Sequence, residues 1–391
     1  MAKKILLTKK LLLWSAMLVM IAGSSCPASE EEHELKVMIT SDLHYTENPK
    51  AIDTVVPAVS YSGEFADALT AEVIGQAPDI FIMTGDNTNS GALADMKALA
   101  EKLRKIREAG IEVVLTTGNH DFNAASPQTF EEIYFPLLHP QDRDPASLSY
   151  TVAVGDVVLL AMDDNAVTLG GQGEFSAETM DWLKQMLEKY REKRIWFLSH
   201  HTVLLGKGSE SSSSYRIQNE GLAELLEVNK VRLILTGHLH AQNIVQEKDM
   251  YEIVSAMPLQ GNHLIGFLEE KGDEVTYRAE PLDLEKYGDP GFVKDLREKE
   301  AASTLAQREA LAGVIALSGY SEAEQEEILD MMFLFLRYYS EGTLADHVQE
   351  LSGNEVCEKM IDALWDHNYG PWMQSLLENP PVKSTELQFT Y

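Results

Sequence analysis

Six short apolar runs, Lys36–Thr40, Ile80–Thr84, Ile111–Leu115, Val157–Met162, Ile195–Leu198 and Val231–Leu235, set the strongest limit on how this chain can fold. They are rich in β-branched residues and bounded by Gly, Asp or Asn, the pattern of buried strands. Helical stretches lie between them. Leu93, Met96, Leu99, Leu103 and Ile106 are spaced for one face of a helix that stops at Gly110. Ser176 caps a second helix whose buried face is Met180, Leu183, Leu187 and Tyr190. Strands alternating with helices give an α/β class. After His240 the runs Asn243–Glu247, Tyr251–Ala256, Leu264–Phe267 and Glu274–Arg278 follow without helices, and predict a second, partly antiparallel sheet. From about Gly291 the character changes. Glu298–Leu317, Ser321–Tyr339 and Thr343–Trp365 are helical in period and lack strand signals, which predicts a C-terminal all-helical appendage over residues 291–380. Its most apolar run, Met331–Tyr339, is too short to cross a membrane.

The N-terminus reads as an export signal over residues 1–25. Lys3, Lys4, Lys9 and Lys10 form a basic segment, and Leu11 to Gly23 an apolar core of the usual length. Cys26 follows Gly23-Ser24-Ser25 as the cysteine of a bacterial lipobox does, with Gly23 where Leu is usual. Lipidation of Cys26 is favoured over a disulfide with Cys357, the other of the two cysteines. The chain is then expected outside the cytoplasm, membrane-anchored as a lipoprotein or else secreted, with residues 26–34 as an acidic tether. Losing four lysines with the signal takes the formal charge from −30 to −34. So acidic a surface repels nucleic acid, and no nucleic-acid partner is expected. It also repels phosphate esters, so a phosphate-handling site here must bring its own positive charge, for which bound metal is the obvious supply.

Five short motifs directly follow five of the strands. They are Asp42-Leu43-His44, Gly85-Asp86-Asn87, Gly118-Asn119-His120-Asp121, Ser199-His200-His201 and Gly237-His238-Leu239-His240. Six of the 11 histidines fall in them. In an α/β sheet the loops at the carboxyl ends of the strands converge on one crevice. Residues i and i+2 of an extended segment face the same way, so Asp42 with His44, and His238 with His240, are each expected to point into one site. Glycines before Asp86, Asn119 and His238 let the chain turn sharply and approach an ion. Carboxylates, an amide and imidazoles together suit Zn, Mn or Fe better than an all-oxygen calcium site.

The order D-x-H, G-D, G-N-H-D, H, G-H-x-H resembles the signature of the calcineurin-like metallophosphoesterases, over roughly residues 35–280. The resemblance implies a two-sheet sandwich flanked by helices in a domain of residues 35–285. It implies two divalent transition-metal ions, one held by Asp42, His44, Asp86 and His240, the other by Asp86, Asn119, His200 and His238, with Asp86 bridging. In the family the histidine matching His120 supports the transition state or protonates the leaving oxygen, and the resemblance places Asp121 to orient it. The implied function is hydrolysis of phosphate esters on a phosphorylated small molecule or nucleotide, with a phosphodiesterase as the subclass expected. The rival is a catalytically silent scaffold that keeps the fold; the presence of His120 and of each ligand type weighs against it.

Other residues read less specifically. His201 is a core residue or a support for a neighbouring ligand. Asp163-Asp164-Asn165 ends a strand and reads as a plain turn rather than a border of the site. Tyr45 and Phe122 flank ligand positions and either stack on substrate or pack. The Gly206–Ser214 loop with Lys207, and Arg216 beyond it, read as solvated rather than phosphate-binding, and Asn262-His263 as core or surface. Thr202 stands where many relatives have Pro, and Asn89 where they have an acid.

Overall fold

A computed structural model describes residues 34–391 apart from 54, 55, 57, 205–214 and 368. The export signal, Cys26 with most of the tether, and the loop carrying Lys207 lie outside the described residues. Thirteen strands are present among those described: β1 (Glu34–Thr40), β2 (Ile80–Thr84), β3 (Glu112–Thr116), β4 (Asp142–Arg143), β5 (Tyr150–Val154), β6 (Val157–Ala161), β7 (Arg194–Leu198), β8 (Leu233–Thr236), β9 (Asn243–Glu247), β10 (Met250–Val254), β11 (Leu264–Lys271), β12 (Glu274–Pro281) and β13 (Glu386–Thr390). They form two mixed sheets, in the orders β13-β12-β11-β1-β2-β3 and β4-β5-β6-β7-β8-β10-β9. The helices are α1 (Ser62–Gln76), α2 (Leu93–Glu108), α3 (Pro127–Tyr134), α4 (Ala177–Lys189), α5 (Leu222–Val228), α6 (Leu284–Tyr287), α7 (Pro290–Ile315), α8 (Glu322–Ser340), α9 (Leu344–Leu351), α10 (Glu355–Ala363) and α11 (Tyr369–Glu378).

The period of two along a strand builds the layers. Leu159, Trp196, Leu198, Leu233 and Leu235 join a core shared with the first sheet. Their immediate neighbours Leu160, Ile195, Phe197 and Ile234 face the other way, onto Trp182, Leu183 and Leu187 of α4 and Leu226 of α5. Helices α1 and α2 pack on the first sheet through Phe65, Leu69, Met96, Leu99 and Leu103. The result is the two-sheet sandwich with flanking helices. On α4 the buried apolar residues are Trp182, Leu183, Met186 and Leu187, while Met180 and Tyr190 sit at the margin.

Two expectations change. The four strands after His240 do not make a sheet of their own. β9 and β10 extend the second sheet beside β8, and β11 and β12 extend the first beside β1. Thr343–Trp365 is not one helix. It breaks at Gly353, where φ is +84°, and Asn354 caps α10 by accepting from the amides of Val356 and Cys357.

The tail helices hold a core of their own, with Ile328, Leu329, Met332 and Phe335 of α8 against Ile315, Met360 and Met373. The chain then returns, adding β13 to β12, and Trp196 Nε1 donates to the Tyr391 hydroxyl at 2.9 Å. Gln242, two residues past His240, donates from its backbone to Ser340 O and from its side chain to Ser384 O, both at 2.9 Å. The tail is thereby fastened beside the end of β8. No helix among the described residues is long and apolar enough to cross a membrane.

Candidate metal centre

Each of the five motifs sits at the carboxyl end of a parallel strand, three on β1, β2 and β3 and two on β7 and β8. The way their side chains converge differs from the extended i, i+2 geometry expected of them. Asp42, His44, Asp86, His238 and His240 have φ of 52°, 46°, 45°, 68° and 55°, so the loops after β1, β2 and β8 open in left-handed kinks. Asp and His tolerate that region better than most side chains, but at a cost in strain, which proteins concentrate at functional sites. Glycine permits the close approach of the loops. A Cβ on Gly237 would fall on the side chains of Ser41 and Asp42, and one on Gly118 would lie 2.7 Å from the Cα of Asp86.

The side chains meet in two adjoining groups. In the first, His240 Nε2 lies 3.2 Å from His44 Nε2 and 3.3 Å from Asp42 Oδ1, and His44 Nε2 lies 3.7 Å from Asp86 Oδ2. In the second, His200 Nε2 lies 3.4 Å from the same Asp86 oxygen, 3.1 Å from Asn119 Oδ1 and 3.2 Å from His238 Nδ1. Asp86 Oδ2 therefore belongs to both.

These separations suit shared ions. Ligands about 2.0–2.1 Å from a zinc-like ion stand roughly 2.9–3.4 Å apart around it. Asp42 Oδ1 is buried and makes no hydrogen bond, despite its nearness to His240. The Nδ1 of His200 faces Thr84 O at 2.9 Å, which makes that nitrogen the donor and turns Nε2 toward the oxygens of Asp86 and Asn119. A cation between these atoms reconciles acceptors that otherwise face one another.

Electrostatics point the same way. Burial pushes Asp42 up, but His240 beside it, and then the charge of His200, hold it at about 2. Burial opposes Asp86 as well, and His200 with His44 outweighs it, leaving this carboxyl well below the usual range. Burial lowers His44 to about 4, and burial with His200 and His201 lowers His238 well below an ordinary histidine. Burial also disfavours charge on His200, yet Asp86 and Asp42 push it up to about 10. The pocket combines ionised carboxylates with the neutral imidazoles of His44 and His238, and its carboxylates favour positive charge at His200, beside the Asp86 oxygen where the two groups meet.

A second set of contacts fixes this arrangement. Asp86 Oδ1 accepts from the backbone of His120 at 2.7 Å, and Asp42 Oδ2 from that of His238 at 3.0 Å. Asp164, at the end of β6, accepts from the amides of His200 at 3.2 Å and His201 at 2.7 Å. The segment read as a plain turn thus borders the site and orients one of its loops. His201 is buried between Asp164, 3.3 Å from its Nδ1, and the ring of His238, with ring centroids 4.2 Å apart.

His120 stands over the first group, its ring 4.6 Å from that of His44 and edge-on to it. Asp121 does not orient it. Its Oδ2 accepts from Asn87 and Gly118, its Oδ1 from Thr88, so it ties the β2 and β3 loops together. Burial and then the charge of Asp86 raise it to about 6. The partner of the His120 Nδ1 is instead the backbone carbonyl of Asn89, at 3.0 Å. A backbone acceptor leaves no mark on residue type, so no sequence signal could have named it. Tyr45 and Phe122 are buried in the core, which settles both as packing. Among the described residues Tyr215, 46% exposed, stands with its ring 5.5 Å from that of His238.

Comparison with known proteins agrees with this geometry. Residues 35–242 match the family model described as calcineurin-like phosphoesterase. A Psychrobacter arcticus protein named "Probable cyclic nucleotide phosphodiesterase" is 26% identical over 219 residues, covering 54% of this chain and 75% of its own length. An Arcobacter nitrofigilis protein named "Probable glycerophosphodiester phosphodiesterase" is 23% identical over 206 residues, covering 52% and 71%. The crystal structure of a dimetal phosphatase from Danio rerio superposes with a TM-score of 0.51 at 13% identity, covering 63% of this chain and 96% of that one, and shares the fold. With a matching family model over more than half its length and two Asp/His groups joined at one carboxylate, the chain belongs to the calcineurin-like phosphoesterase family, as a dinuclear metal-dependent phosphoester hydrolase.

Proposed function

We propose that this protein hydrolyses phosphodiesters of small molecules outside the cytoplasm, with two ions of Mn, Fe or Zn. Asp42, His44, Asp86 and His240 would hold one ion, and Asp86, Asn119, His200 and His238 the other. The observation that carries the reading is the single Asp86 oxygen lying against both groups. Bound ions would supply a water acidic enough to be hydroxide near neutral pH and a net positive charge to draw the phosphate past an acidic surface. The protein's own part is positional. His120 is fixed by the Asn89 carbonyl, to which its Nδ1–H donates, which leaves Nε2 to face the departing alkoxide; in the imidazolium form that nitrogen would give up its proton and leave a neutral ring. Its backbone amide, bonded to Asp86 Oδ1, ties that proton donor to the bridging carboxylate. Relatives named as phosphodiesterases support the diester preference.

The test is hydrolysis of bis(p-nitrophenyl) phosphate and p-nitrophenyl phosphate by protein stripped and reloaded with Mn, Fe or Zn. Faster turnover of the diester, lost together with both ions in Asp86→Ala, is expected. No turnover with any metal would favour the silent scaffold. The lipid anchor has its own test: Cys26→Ser should release the protein from membranes, and membrane association that persists would overturn it.

A further inference from the structure

A cavity of about 760 Å³ opens beside the metal centre, between the segments that follow β8 and β10 and the tail helices. That volume is in the range of sites that take a whole small ligand. Its lining includes Leu239 and His240, from the loop that carries ligands of the metal centre. The His240 side chain is 16% exposed, whereas those of Asp42 and His44 are fully buried, so the centre reaches solvent on this side.

The far wall is a stripe from each of two helices. On α7 it is Glu300, Ser303, Thr304 and Gln307; on α8 it is Asp330, Phe333, Leu334 and Arg337. Both sets follow the i, i+3, i+4, i+7 spacing of one helical face. The helix α8 is apolar on two sides for this reason. Ile328, Leu329, Met332 and Phe335 fill the tail's own core, whereas Phe333 and Leu334 stay half-buried outside it. The wall is anchored beside the site, because Ser340 at the end of α8 accepts from the amide of Gln242 at 2.9 Å.

The lining chemistry narrows the occupant. Phe333 and Leu334 offer an apolar face, and Gln260, Asn262, Ser303 and Gln307 offer hydrogen bonds. Asp330 is paired with Arg308 at 2.7 Å. Glu300 Oε1, 3.5 Å from His263 Nε2, is buried without a hydrogen bond and calls for a donor. Carboxylates outnumber the lone Arg337 in this lining, which disfavours a second phosphate.

We propose that the stripes of α7 and α8 form the specificity wall of the active site, receiving an uncharged, hydrogen-bond-donating alcohol of about nucleoside size from the phosphodiester substrate. The proposal rests on the hydrolase reading above. Its test uses p-nitrophenyl diesters that differ only in the second alcohol: methyl, thymidine 5′ and 3′-phosphorylated thymidine 5′. The thymidine ester should exceed each of the others at least tenfold in kcat/KM. Phe333→Ala, which removes the apolar face, and Leu334→Trp, which fills the space, should erase that advantage through KM and leave the methyl ester within twofold. Equal turnover of the three esters, or parallel losses on all of them in both variants, would overturn the wall while leaving the hydrolase reading intact. A readout independent of turnover is saturation-transfer NMR of free thymidine on the zinc-loaded protein. Transfer to the thymine protons that disappears in Leu334→Trp supports the wall even if no diester is cleaved, and no transfer in the wild type overturns it.

Discussion

Gly118→Ala removes no ligand atom, yet it should disable the metal centre. A Cβ at this position would stand 2.7 Å from the Cα of Asp86 and closer still to its backbone nitrogen. Ordinary contact begins near 3.4 Å, so the Asp86 nitrogen, 1.9 Å from that Cβ, must retreat by about 1.5 Å, with no rotamer change able to absorb the move. Metal–ligand distances tolerate roughly 0.2 Å. Because Asp86 Oδ2 lies in both groups, one displacement should weaken both ions at once. Misplacement near 1 Å costs about a hundredfold in rate, which sets the lower bound expected for the loss of turnover. The assay is metal content by plasma mass spectrometry after Mn loading and dialysis, alongside diester hydrolysis and thermal melting of the metal-free protein. A variant that keeps its full metal content and turns over within threefold of wild type would refute the reasoning.

Three further outcomes follow from the same structure. His120→Ala should retain the metals and lose roughly a hundredfold in turnover, since it removes a proton donor and no ligand; unchanged turnover would take His120 out of the mechanism. Glu252 is buried, accepting from the amides of Val203 and Leu204 and from the Thr236 hydroxyl, and burial pushes it up to about 7 from an ordinary 4.5. A carboxyl raised on folding contributes most below pH 4.5 and loses that contribution as pH rises through 7, so stability relative to Glu252→Gln should fall by up to roughly 3 kcal/mol between pH 4.5 and 8. Urea titrations of both proteins across that range check it, and a pH-independent difference would show that Glu252 ionises freely in place. Gly313→Ala lies inside α7 with nothing within 4 Å of the added Cβ, and should raise the melting temperature through about 0.5–1 kcal/mol of helix stabilisation.

What the sequence determined by itself was local. β-branched runs marked most of the strands of the sandwich, and the motifs after them named the side chains that lie in the two adjoining groups, because strand period, loop glycines and ligand chemistry are each written in consecutive residues. Elements lacking such signals escaped: α1 ends at Ala77 in a left-handed cap with no glycine to announce it, and β13 lies beyond the whole helical tail. Only the tertiary structure decided that Asp164 steadies the His200 loop, that the Asn89 carbonyl rather than Asp121 holds His120, and that one of the two apolar sides of α8 lines the cavity beside the metal centre. Those are contacts between chain segments far apart in sequence, some made by backbone atoms common to every residue. Which of them meet is set by how two sheets and a helical tail pack, and not by the identity of any one side chain.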